Sequence, residues 1–227
     1  MNAKKVLNYT LVLSIYIQCI TLLLGLAVSL KKIPREYNLI KELFFLELFV
    51  QLIEGSFYIW VLLNYKKITN ITPRRYLDWI FTTPTMLITL ISYLIFLDAK
   101  AKHNTINLSL GSIMRTNYRL FVPIIFLNWL MLLFGYLGEI KMLSILYSVL
   151  LGLIPFLIYY YMIYSNFVSS NRESYSIFIY FFFFWSLYAV AALLPYYSKN
   201  ILYNILDLFA KNFFGLFLVY IIFTCNY

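Results

Sequence analysis

Residues 79–97 read WIFTTPTMLITLISYLIFL, a run without a single charge, with Arg74, Arg75 and Asp78 before it and Asp98 and Lys100 after it. A helix crossing the roughly 30 Å hydrocarbon core of a bilayer needs about 20 mainly apolar residues, so this run is read as a membrane span. Four more charge-free runs of similar length surround it: Val6 to Leu30, Leu120 to Gly138, Met142 to Asn171 and Ser174 to Ser198. Two further segments, about Ile40 to Tyr65 and Asn200 to Phe223, are long and apolar but carry ionisable residues. The expected helices are 6–30, 40–65, 75–97, 118–138, 142–166, 174–197 and 200–224, an all-α seven-span bundle forming one domain over residues 1–227. The strands of a membrane β-barrel are short and alternating, whereas these runs are continuous.

The composition agrees. Of 227 residues, 63% are hydrophobic and 12% charged, far from the roughly 45–50% apolar and 25% charged of a soluble domain. With 22 Tyr, 21 Phe and only 7 Gly and 6 Pro, the chain is neither disordered nor collagen-like. Met1 to Lys5 followed by a long uncharged run resembles a secretory signal, but the run is too long and lacks a small-residue cleavage site, so it is read as the first span. Cys19 and Cys225 imply neither a disulfide framework nor a metal site.

A net charge of +9 would point to nucleic acid in a soluble protein. Here the basic residues fall in short loops, and no nucleic-acid partner is expected. One side collects Lys31, Lys32, Arg35, Lys41, Lys100, Lys102, Arg115, Arg119 and Arg172; the other collects Lys4, Lys5, Lys66, Lys67, Arg74, Lys141 and Lys199. The small excess favours the first set as cytoplasmic, which puts the N-terminus outside and the C-terminus in the cytoplasm. The connections are short except Asp98 to Tyr118, where His103 is read as solvated. No phosphate loop, paired Cys cluster or His-Glu-x-x-His motif is present, and no enzyme is expected.

The chemistry therefore rests on charges inside the membrane, which cost several kcal/mol each unless paired or hydrated. Asp207 and Lys211, four apart on the last span, share a helix face. They form either a self-neutralising ion pair or, near mid-membrane, a site where the lysine amine takes an aldehyde cofactor; burial favours the neutral amine that imine formation requires. On the third span Arg75, Asp78, Thr82 and Thr89 fall on one stripe toward the bundle. Asp78 and Asp207 are both available as counter-ions to a charged imine, and Arg75 balances the second carboxylate, giving a neutral cluster of two cations and two anions.

The run Arg75-Tyr76-Leu77-Asp78-Trp79 with Thr82-Thr83-Pro84, and the run Asp207-Leu208-Phe209-Ala210-Lys211, resemble the third- and seventh-helix signatures of microbial, type 1, rhodopsins. Trp185 and Tyr188 resemble the family's sixth-helix Trp-x-x-Tyr pair, and residues 131–139 (MLLFGYLGE) a fourth-helix stretch of proteorhodopsin-like members. The resemblance implies all-trans retinal bound covalently as a protonated Schiff base at Lys211, with Asp78 as main counter-ion and proton acceptor, Asp207 as second, and Arg75 and Thr82 in the same cluster. It also implies a polyene between Trp79 and Trp185, with Thr83, Met86, Met131, Gly135 and Tyr188 around it; a long flat apolar ligand suits aromatic plates and a glycine where its ring needs room.

Two features depart from the family's proton pumps. Thr89 stands where they carry an inner carboxylate, about 16 Å along the helix from Asp78. Ala189 and Ala192 replace the sixth-helix proline and second tryptophan, which puts part of the ring contact in doubt. The second span adds Glu47, Gln51 and Glu54 on one stripe, with Glu42 nearer the cytoplasmic end. Such a row is expected to face a hydrated path, and acidic rows select cations. Glu54 is expected to be held by a hydrogen bond to Asn212, beside the lysine. The glutamate-rich second helix resembles algal channelrhodopsins, and the compact loops resemble viral rhodopsins of giant algal viruses. Light-gated cation channel, outward proton pump and light sensor are the functions expected, in that order. The partners expected are the lipid bilayer, monovalent cations or protons and, as an option, a homo-oligomer.

Overall fold

The computed structural model describes residues 2–65, 67–106 and 108–225; Lys66, counted above among the loop charges, lies outside them. Among the described residues there are seven helical spans long and apolar enough to cross a membrane. They are α1 (Ala3–Ser29), α2 (Asn38–Asn64), α3 (Thr72–Ala101), α4 (Leu110–Glu139), α5 (Ile145–Phe167), α6 (Arg172–Ala192) and a seventh span in three pieces. The pieces are α7 (Tyr196–Asp207), a π-helical turn (Leu208–Asn212) and α8 (Phe213–Thr224). Hydrocarbon offers backbone groups no partner, so each span satisfies its own amides internally.

The helix ends follow from local chemistry. Ser109 and Ser112 form a reciprocal capping box that starts α4 at Leu110, well ahead of the expected residue 118. Arg115 and Arg119 ride exposed on its first turns, and a count of charge-free residues cannot see those turns. The long Asp98–Tyr118 loop therefore shrinks to the link between Ala101 and Leu110, with His103 exposed in it at a φ of 54°. Pro195 ends the sixth span early and caps the seventh, because the residue before a proline is pushed out of helical geometry. The seventh span thus begins four residues before the expected position 200.

Most of the buried polar residues face the bundle interior together with an apolar core, while large apolar side chains such as Leu23, Leu63, Phe126, Tyr161 and Phe223 are exposed on the outside, where lipid would cover them. Aromatic rings of α5 and α6 interlock, with Tyr160 edge-on to Phe178, Phe182 and Trp185. Lys31, between α1 and α2, donates to the carbonyls of Ile222, Phe223 and Cys225 and so caps the end of the seventh span. Glu42 accepts from the Leu110 amide at the start of α4. That contact gives Glu42 a capping role on the α4 N-terminus, away from the inward row it was expected to join.

Candidate functional site

The π turn holds the residue on which everything converges. Its wider winding shifts register inside the seventh span, and such turns recur at functional positions. Lys211 Nζ is buried and donates to Asp78 Oδ2 at 2.9 Å, with Glu54 Oε1 at 3.6 Å and Asp207 Oδ1 at 3.7 Å. Asp207 is fixed from three sides: Tyr58 donates to Oδ2 at 2.7 Å, Tyr188 to Oδ1 at 2.7 Å, and Arg75 Nη1 lies 3.3 Å from Oδ2.

Arg75 is fully buried and tied to α7. Its Nε donates to Asn200 Oδ1 at 3.1 Å and its Nη2 to Asn204 Oδ1. Asn204 in turn donates to Thr10 on α1 at 2.9 Å, and Asn200 to Thr72 at 2.9 Å. The cluster thus holds two cations and three carboxyls, one more than expected, because Glu54 belongs to it. A low-dielectric site does not tolerate the uncompensated charge, so by charge balance neutrality requires one further proton in the cluster.

The remaining expected residues are placed as follows. Trp79, Thr83, Met86, Met131, Gly135, Trp185 and Tyr188 line one apolar cavity whose wall also includes Lys211. Ala189 and Ala192 line it too, so the two alanines widen this cavity where larger side chains would fill it. Gly135 has a reason beyond ligand room: a Cβ there would run into the Tyr76 hydroxyl. Thr82 returns its hydroxyl to the Asp78 carbonyl at 3.1 Å, leaving Nζ to the carboxylates. An amine in the wall of an apolar slot beside paired carboxylates fits an aldehyde with an extended apolar body, which is retinal's chemistry.

A second feature runs from Glu54 toward the Lys31 end. Glu47, Gln51, Glu54, Thr89 and Asn212 are all buried. The side-chain oxygens and nitrogens of Gln51, Glu54 and Asn212 have no hydrogen-bond partner within the protein, nor do Ser14 and Gln18 of α1 or Ser92 of α3, and Glu47 has only Thr89 beside it. The expected Glu54–Asn212 hydrogen bond is therefore not formed. Orphaned buried groups on this scale call for water or an ion. On the Lys31 side of Glu47, Leu43, Phe44, Leu90, Leu94, Leu218 and Ile222 are buried in the apolar core.

Several residues of the site were missed by the sequence reading. Tyr58, Asn200, Asn204, Ser14 and Gln18 are five; Asn128, whose Oδ1 lies 2.7 Å from the Thr83 hydroxyl across α3 and α4, is a sixth. Tyr58 continues the α2 stripe four residues past Glu54, and Asn200 and Asn204 precede Asp207 on its own face, so the periodic signal was present.

The family model for bacteriorhodopsin-like proteins matches residues 6–225. No curated protein matches the sequence. Among solved structures, viral rhodopsin OLPVRII superposes with a TM-score of 0.80 at 24% identity, covering 95% of this chain and 96% of that one. Xanthorhodopsin, described as a light-driven ion pump with dual chromophore, gives 0.72 at 18% identity over 97% and 92% of the two chains. Exiguobacterium sibiricum rhodopsin gives 0.72 at 16% identity over 97% and 96%. The family match over nearly the whole chain, joined to this fold, makes the protein a multi-pass membrane protein belonging to the bacteriorhodopsin-like family, the microbial rhodopsins, whose chromophore is retinal.

Proposed function

We propose that this protein, as a single domain with its N-terminus outside, is a light-gated cation channel. All-trans retinal would be held by Lys211 as a protonated Schiff base, with Asp78 as first and Asp207 as second counter-ion. The observation that carries the reading is the buried polar column of Glu47, Gln51, Glu54 and Asn212, poor in hydrogen bonds within the protein, that begins at Glu54, 3.6 Å from Lys211 Nζ. A self-contained light sensor has no need of such a column, which is costly in hydrocarbon. Thr89 stands where the pumps that the chain resembles keep a carboxylate, and a hydroxyl there is a poor proton donor.

Retinal supplies light absorption and a change of shape at the Nζ end of its slot. The residues of the chain do the rest. Asp78 Oδ2, at 2.9 Å, is placed to take the Nζ proton, and that transfer removes the positive charge facing Glu54. The repulsion a cation meets at that level falls, and the acidic column then favours Na⁺ or K⁺ over anions. Arg75 stays locked by Asn200, Asn204, Tyr58 and Asp207, so the second counter-ion keeps its place while the first is neutralised. Continuity past the buried apolar residues Leu43, Leu90 and Leu218 requires that region to hydrate, the step that makes conduction conditional on light.

An outward proton pump is the second reading, favoured by the same 2.9 Å contact between Lys211 and Asp78, since transfer across it is also the first step of pumping. Proteoliposomes separate the two. With no ion gradient, a pump changes the pH of the medium under light, whereas the channel leaves it unchanged and only discharges a gradient imposed beforehand. Light-driven pH change without any gradient would overturn the channel reading.

A further inference from the structure

At the Arg75 end of the bundle, α4 finishes at Glu139 and α7 begins at Tyr196. Lys199 Nζ meets Glu139 Oε1 at 2.7 Å, and the two side chains are only 10% and 7% exposed. Outside the Lys211 cluster, it is the one pair among the described residues that joins two spans with both side chains largely covered. A buried pair stabilises little compared with apolar packing of the same volume, so stability is a weak reason for its presence.

Its position offers a better one. Glu139 and Lys199 form part of the wall of a cavity that is also lined by Thr72 and Tyr196. Thr72 is fully buried, and its hydroxyl accepts from Asn200 Nδ2 at 2.9 Å. Asn200 Oδ1 accepts from Arg75 Nε at 3.1 Å. Two hydrogen bonds therefore lead from the wall of this cavity to the guanidinium that anchors Asp207. None of these contacts belongs to the retinal slot or to the Glu47–Glu54 column.

We propose that the Lys199–Glu139 pair is the closure at the Arg75 end of the ion route, and that Lys199 is a specificity-determining residue. While the pair is intact, a cation reaches Glu139 only by displacing the ammonium, and an anion reaches Lys199 only by displacing the carboxylate. The mouth is then neutral and shut. Removing Lys199 leaves Glu139 as a free attractor for cations; removing the Glu139 charge leaves Lys199 as a barrier to cations and an attractor for anions. The transport consequence rests on the channel reading, whereas the closure rests on the geometry of the mouth.

The test is charge-selective thiol labelling. A cysteine is placed in the wall of the same cavity at a half-buried position with no part in the hydrogen-bond chain, Leu194→Cys, with Cys19 and Cys225 replaced by alanine. Cationic aminoethyl and anionic sulfonatoethyl methanethiosulfonates are applied from the Arg75 side. Lys199→Met should speed the cationic reagent by on the order of tenfold and leave the anionic one slow. Glu139→Gln should do the reverse. The double exchange Lys199→Glu with Glu139→Lys retains a pair, tolerates the site without an unpaired charge, and should keep both reagents as slow as the parent background.

A mere strut between α4 and α7 predicts equal acceleration of both reagents in either single variant, and that result overturns the proposal. So do unchanged rates in the single variants, or fast labelling in the exchanged pair. The visible band formed with added retinal should stay in place throughout, because neither residue lines the retinal slot. Photocurrents recorded on the same variants keep the two claims apart. Charge-selective labelling without any ion current sinks the channel reading and keeps the closure; reversing currents with unselective labelling do the opposite.

Discussion

Glu54→Gln separates the conduction role of the α2 column from the chromophore chemistry beside it. Glu54 Oε1 lies 3.6 Å from Lys211 Nζ, yet neither of its oxygens has a hydrogen-bond partner, while Asp78 Oδ2 accepts a hydrogen bond from Nζ at 2.9 Å. If Glu54 carries the proton that neutralises the five-group cluster, an amide of the same shape changes the field at Nζ little, and the absorption band stays nearly in place. Once the column hydrates in the open state and Glu54 gives that proton up to its water, a cation passing the carboxylate feels its full charge. At about 4 Å that interaction is about 1 kcal/mol in bulk water and about 4 kcal/mol at an effective dielectric of 20. Since about 1.4 kcal/mol is a factor of ten, even the fully hydrated limit lowers the photocurrent about fivefold. The assay is whole-cell photocurrent normalised to visible absorbance in the same membranes. A normalised current equal to the parent's would refute the placement of Glu54 on the route, and a large band shift would refute its neutrality.

Other variants test the rest of the cluster. Lys211→Ala removes the single buried amine in the wall of the apolar slot, so no visible band should form on adding retinal; a stable red-shifted band would contradict the attachment. Asp78→Asn deletes the nearest anion, at 2.9 Å, and should move the band to longer wavelength because the positive charge is less confined to Nζ; an unmoved band would give the main counter-ion role to Asp207 at 3.7 Å. Tyr58→Phe removes a 2.7 Å bond to a buried carboxylate and an acceptor for Arg75, and should cost about 1.5–3 kcal/mol. It would be measured as earlier thermal bleaching, and parent-like bleaching would mean the pair relaxes without it.

How much of this was legible in the sequence depends on which physical signal carried each element. Runs without charge located five of the spans, and long apolar segments interrupted by ionisable residues the other two, but they misplaced the start of α4, where a serine capping box and exposed arginines extend the helix past the apolar run. Lys211, Asp78, Asp207 and Arg75 stood out because a formal charge in hydrocarbon is conspicuous. Neutral polar residues were harder. The buried face of α1 runs Leu7, Leu11, Ser14, Gln18, Thr21, Gly25 and Val28, the same periodicity that flagged Glu47, Gln51 and Glu54 on α2, but without a charge to draw the eye. Asn200 and Asn204 were passed over for the same reason, though they decide where Arg75 sits. The π turn could not be read at all, since winding Leu208–Asn212 more widely depends on what the neighbouring spans demand of Lys211. The expected Glu54–Asn212 bond failed because adjacency to the lysine was taken for contact; both groups instead face the orphaned column.

The central claim is that light opens a passive path through that column, and the measurement that meets it most directly is the current–voltage relation of the photocurrent under voltage clamp. With Na⁺ or K⁺ unequal across the membrane, the account predicts a photocurrent that changes sign with voltage, reverses near the cation equilibrium potential, and follows that potential when the bath cation is diluted. A photocurrent that keeps one sign at every voltage and persists with equal solutions on both sides would contradict it and assign the Lys211–Asp78 proton transfer to a pump.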